Sequence, residues 1–160
     1  ATRHGADRVA EDLRKEGVDA HPIHGDLKQS DRERRLADFT EGRLSALVAT
    51  NLASRGLDIS DVDVVLHYEP PQDYKAFIHR SGRTARAGES GLVVTLVEWD
   101  QVEDVKRIQG ASGLNYEIVK VFSNDERLDD LVAHEPGTVE LRRTSDVELS
   151  RRFRTGRRRR

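Results

Sequence analysis

Between His79 and Gly88 the chain reads His-Arg-Ser-Gly-Arg-Thr-Ala-Arg-Ala-Gly, which sets Arg80, Arg83 and Arg86 within seven residues. Each guanidinium is planar, always charged and supplied with paired donors that match the oxygens of a phosphate. Three such groups this close repel one another unless an anion sits among them. Gly82 and Gly88 carry no Cβ to keep a ligand away from the backbone. Phosphate binding is one reading; an exposed basic loop paired with Glu69, Asp73 and Glu89 is the other, and charge density alone leaves both open. The chain has no Gly-x-x-x-x-Gly-Lys-Ser/Thr loop and no Gly-x-Gly-x-x-Gly opening a helix, so it does not build a standard nucleotide pocket by itself.

The elements that must position these arginines follow from hydrophobic spacing. Ala6, Val9, Ala10 and Leu13 share one face of a helix over Gly5 to Glu16, and an apolar strand follows near Val18 to Ile23. Leu36 and Phe39 mark a second helix over Ser30 to Phe39, with Ser30 and Asp31 as its natural N-caps and Gly42 as its stop. Leu44 to Thr50 and Val62 to Tyr68 are β-branched runs of the length of buried parallel strands. Beyond Pro70 and Pro71 the spacing predicts a short helix over Tyr74 to Gly82, a strand over Gly91 to Val97 and a helix over Glu98 to Gln109. A further strand is expected at Tyr116 to Val121 and a helix around Asp125 to His134. Strands alternating with helices imply an α/β layered domain with a mostly parallel sheet.

The arginine string His79 to Gly88 resembles motif VI of the DEAD-box helicases, and other stations of that family's second RecA-like domain stand in order around it. His24-Gly25-Asp26 with Gln29, Arg32, Leu36 and Phe39 is similar to motif IVa, and Ala49 to Ile59 to motif V. Ala1 to Asp7 is similar to the tail of motif IV and the helix after it. The resemblance covers about residues 1 to 110 and implies an open, mostly parallel RecA-like sheet flanked by helices. It also implies ATP bound in a cleft between two such domains, with Mg²⁺ held mainly by the N-terminal one. Arg83 and Arg86 would then be arginine fingers on the γ-phosphate. Asp58 would accept from the ribose and Gly56 would permit close approach. On the bare residues a turn or cap role for Asp58 stays open. His79 and Arg80 would face the N-terminal domain, and a structural role for His79 stands beside that. Thr2, Gly25, Arg32 and Thr50 would hold the RNA sugar-phosphate backbone.

Two departures stand out. Asn51 takes a place where motif V commonly carries an acid, which keeps hydrogen bonding and loses charge. The family's first strand would precede Ala1 and would lie in the sheet interior, so its lack would expose unpaired edges. The expectation is that upstream residues complete the sheet; strand exchange with a partner is the alternative.

A length of 160 residues with 36% hydrophobic and 35% charged residues sets one compact domain. The expected boundary is near Phe122, giving a RecA-like domain over 1–122 and an extension over 123–160. The longest apolar runs fall far short of the roughly 20 residues of a membrane span. With no cysteine, thiolate nucleophiles, disulfides and Cys-based zinc sites are excluded, and a reducing, cytoplasmic setting fits. A start at Ala1 without methionine suggests a piece of a longer protein. The net charge of -2 hides an uneven spread: residues 141–160 carry +7 and the rest -9, a pattern that points to RNA or another polyanion. A solubilising tail is the alternative. Arginine outnumbers lysine 22 to 5, as in a GC-rich bacterium.

The leading expectation is the C-terminal half of an ATP-dependent RNA helicase, inactive without its N-terminal partner domain. A DNA helicase or translocase of the same superfamily, and a non-catalytic module that binds RNA or protein, are the alternatives. Oligomeric state is left open.

Overall fold

The structure is a computed structural model that describes residues 2–55, 57, 59, 62–84, 91–131 and 133. In chain order the elements are α1 (Arg3–Lys15), β1 (Ala20–Ile23), α2 (Gln29–Thr40), β2 (Ala46–Ala49), α3 (Asn51–Arg55), β3 (Val64–His67), α4 (Tyr74–Ser81), β4 (Leu92–Thr95) and α5 (Val102–Ser112), followed by a 3-10 turn at Glu126–Leu128. They divide into two compact units, residues 1–65 with 78–93, and residues 66–77 with 94–160.

In the first unit α1 begins where Thr2 accepts the Gly5 N–H at 3.1 Å on its side-chain oxygen, a standard N-cap. Ala6 and Ala10, one turn apart, are fully buried against the sheet. The helix stops at Gly17, whose φ of 87° suits a residue without Cβ. The Val18 N–H returns to the Leu13 carbonyl and the Gly17 N–H to that of Arg14, closing a Schellman motif. Gly42, with φ 75°, ends α2 in the same way, as the sequence predicts. β1 and β2 pair in parallel, Ala20 opposite Ala46 and Ile23 opposite Ala49. Ile23, Ala53, Leu57 and Ile59 form the core, with Leu36, Phe39 and Leu47 packed on it.

β3 pairs with β4. The Asp63 carbonyl takes the Leu92 N–H and the His67 carbonyl takes the Leu96 N–H, so both chains run the same way. In the second unit His67 is buried, with Nδ1 3.0 Å from the Thr95 hydroxyl and its ring edge-on to Phe77. Asp73 accepts the Ala76 N–H at 2.7 Å and so caps the start of α4.

Four expectations are corrected. α2 starts one residue early, so Lys28 is its N-cap without a side-chain bond, and neither Ser30 nor Asp31 caps it. Asp31 instead lies in the first turn, where its charge faces the positive helix end. Tyr116–Val121 forms no strand: its Tyr116 N–H donates to the Gln109 side chain and its Lys120 carbonyl accepts from Arg127 instead of a ladder, and Val119 and Val121 lie exposed. The helix expected over Asp125–His134 is, among the described residues, only the 3-10 turn. There Asp125 accepts the Arg127 N–H and binds its guanidinium, a local bond that competes with α-helix. α5 begins at Val102 because the Gln101 side chain accepts the Glu98 N–H and closes a turn first.

Candidate functional site

Of the ten residues singled out as site residues, those that the structure describes fall in the first unit. Gly56, Asp58 and Arg86 lie outside the described residues. The other seven group at two stations.

At the first station the end of α4 is laced to the start of α3. Arg80 donates from Nη2 to Asn51 Oδ1 at 2.9 Å, so the residue that replaces an acid is the neutral acceptor of a guanidinium. Arg83 donates from Nη1 to the Leu57 carbonyl at 2.7 Å, and its own carbonyl takes the Val62 N–H at 3.2 Å. Arg83 is half-buried, and one engaged nitrogen leaves the rest of its fork of donors for an anion. His79 sits exposed on the same helix.

Thr50 is buried and holds three bonds at once. Its N–H donates to the Ile23 carbonyl, its carbonyl takes the Ser54 N–H, and its hydroxyl oxygen takes the Ala53 N–H at 3.4 Å. The hydroxyl proton is still available to donate to a phosphate oxygen. Arg32 donates to the Ala53 carbonyl at 3.3 Å, which brings it to the same short helix that Thr50 caps. Hydroxyls and guanidiniums suit phosphate oxygens as donors. Among the described residues no cluster of His, Asp or Glu is arranged to hold a metal.

The Ser81 hydroxyl is buried with no hydrogen-bond partner among the described residues. A buried, unmade hydrogen bond is costly, so Ser81→Ala is expected to stabilise the chain by about 1 kcal/mol. A rise in the urea midpoint at constant slope would show it; a fall would mean that the hydroxyl is used.

At the second station α1 meets the His24-Gly25-Asp26 turn. His24 is buried and its Nε2 lies 3.1 Å from Asp7 Oδ1, while its Nδ1 accepts the Asp26 N–H at 3.4 Å. Arg3 pairs with Asp26 beside them. Thr2 and Gly25, both exposed, are thus carried by two segments that are tied together. Sequence reasoning missed Asp7, whose partner is 17 positions away with no periodicity to mark it. It missed the Leu57 and Ala53 carbonyls too, since main-chain acceptors leave no trace in residue type.

The site is thus an α/β unit in which Arg80 and Arg83, at and just past the end of α4, are tied to Asn51 and the Leu57 carbonyl. The helicase conserved C-terminal domain family matches residues 1–88. The DEAD-box ATP-dependent RNA helicase 53 of Oryza sativa is 43% identical over 129 residues, 80% of this chain and 21% of that protein. The ATP-dependent rRNA helicase rrp3 of Schizosaccharomyces pombe is 43% identical over 90% of this chain and 32% of its own length. Among solved structures, the C-terminal domain of the DEAD-box protein Dbp5 superposes with a TM-score of 0.71 at 32% identity, covering 84% of this chain and 78% of that one. A DEAD box protein of the hyperthermophile Methanococcus jannaschii gives 0.69 at 34% identity, covering 74% of this chain and 33% of that one.

The chain belongs to the helicase C-terminal domain family, as the C-terminal RecA-like domain of a DEAD-box RNA helicase. It spans about a fifth to a third of the curated relatives described. None of these relatives is bacterial, so a bacterial source rests on arginine usage alone.

Proposed function

We propose that the complete protein is an ATP-dependent RNA helicase, and that this chain supplies the arginine fingers and half of the RNA grip. In this reading Arg83 and Arg86 reach the γ-phosphate of ATP bound on the N-terminal RecA-like domain, where Mg²⁺ is also held. Asp58 and Gly56 meet the ribose, and His79 and Arg80 face the partner domain. Thr2, Gly25, Arg32 and Thr50 hold the sugar-phosphate backbone. ATP and RNA together close the two domains and bend one strand, so that a short duplex loses stacking and pairing; hydrolysis resets the clamp. The observation that supports the reading is the Arg83 bond to the carbonyl of Leu57, the residue before Asp58 in the sequence. Dbp5 of S. cerevisiae, solved with RNA and ADP BeF3, matches with a TM-score of 0.70, which supports the same pair of ligands here.

The test is RNA-stimulated ATP hydrolysis by this chain alone and after fusion to a DEAD-box N-terminal half. Silence alone and turnover in the fusion are expected. Turnover by the lone chain would reveal a nucleotide site of its own. A folded but inactive fusion would favour a binding module.

The arginine-rich end belongs to the same reading. Residues 151–160 hold seven arginines, and deleting 141–160 is expected to flatten the salt dependence of RNA affinity. Single strands give a log–log slope of about -0.7 per phosphate neutralised. An unchanged slope would assign the tail no RNA contact.

A further inference from the structure

We propose that Asp7 is a positioning residue for RNA, acting through His24 to hold the Gly25 turn open toward the sugar-phosphate backbone. The inference rests on the RNA reading of Thr2 and Gly25. A carboxylate only accepts, so Asp7 fixes the proton of His24 on Nε2. Nδ1 is then left with a lone pair, and that lone pair takes the Asp26 N–H. The Leu27 N–H closes the turn on the His24 carbonyl at 3.3 Å. One carboxylate on α1 therefore sets the tautomer that pins the turn on both sides of Gly25.

Gly25 itself has no internal reason to be glycine. Its φ is not in the left-handed region, and a Cβ built there meets nothing within 4 Å. Free space over an exposed glycine is what close approach by a ligand backbone requires. The neighbouring Arg3–Asp26 pair is more than half exposed on both side chains, whereas Asp7, itself half exposed, meets a His24 ring that is buried. The buried imidazole is the rigid link, and α1, fixed through Ala6 and Ala10, is its anchor.

The full 160-residue chain is titrated with a short single-stranded oligouridylate and followed at the Gly25 and Thr2 amides by NMR. This reads the turn apart from any binding by the arginine tail. A saturable shift at both amides is expected. Asp7→Ala should raise the half-saturating concentration about fivefold, the weight of one hydrogen bond. Asp7→Asn, whose amide oxygen still accepts from Nε2, should stay within about twofold by the same logic. Half-saturation unchanged in Asp7→Ala would overturn the proposal while leaving the RNA reading intact. No shift at either amide in the unaltered chain would end the RNA reading of this station itself, and the proposal with it. Should Asp7→Ala not fold, Asp7→Ser, too short to reach His24, decides the same point in the same titration.

Discussion

Arg83→Ala, placed in a fusion of this chain with a DEAD-box N-terminal half, is expected to lower RNA-stimulated ATP turnover by about 10³- to 10⁵-fold. The loss would come from charge developing on the transferred phosphoryl with no guanidinium to meet it. The same change also removes the bond to the Leu57 carbonyl, which costs stability on the order of 1 kcal/mol. A thousandfold in rate corresponds to about 4 kcal/mol, so destabilisation of that size does not account for it. Single-turnover hydrolysis beside a thermal melt separates the two effects. Arg83→Lys keeps the charge but not the planar fork, and an intermediate rate is expected. RNA affinity should hold within about twofold, because Arg83 is assigned no RNA contact. Turnover within tenfold of the unaltered fusion would remove Arg83 from the finger role.

Ile23→Ala should be the most damaging of simple core changes. Its side chain is 0% exposed and packs with Ala53, Leu57 and Ile59 under α2. Truncation is expected to cost about 2–5 kcal/mol, a large share of the 5–15 kcal/mol that typical domains possess. Ile23→Val, which removes one methylene, should cost about 0.5–1.5 kcal/mol. Urea unfolding checks both, with an unchanged slope as the sign that only stability moved. The damage reaches the site, because the Ile23 carbonyl holds the N–H of Thr50 at 3.2 Å. A loss of under 1 kcal/mol for Ile23→Ala would mean that this core collapses around the gap.

Spacing alone located α1, β1, α2, β3 and β4 to within a few residues, most clearly α1, whose apolar stripe buries Ala6 and Ala10. α3 escaped that reading. Five residues are too few to show a period, and the helix exists because Thr50 caps it between a strand end and the core. At Tyr116–Val121 a short apolar-rich run suggested a strand, but among the described residues no strand lies beside it, and residue type describes a face rather than a partner. The arginines of the site were legible because they stand in the string His79 to Gly88 that resembles motif VI; charge spacing alone left an exposed basic loop open. The Asp7–His24 pair was not, since only the packing of α1 on β1 brings position 7 to position 24.

Among the described residues arginines donate to main-chain carbonyls at no fewer than five places: Arg14 to Ala20, Arg35 to Pro22, Arg32 to Ala53, Arg83 to Leu57 and Arg127 to Lys120. Codon usage accounts for an arginine only where lysine would serve as well, and at these five it would not. A guanidinium reaches a carbonyl with one nitrogen and keeps other donors directed elsewhere, whereas an ammonium is a compact, strongly hydrated point charge. A recoded gene with lysine at these positions would therefore encode a chain of the same net charge and nearly the same composition, but with its segments less firmly joined. The arginine excess of the described residues is in part a joinery of the backbone.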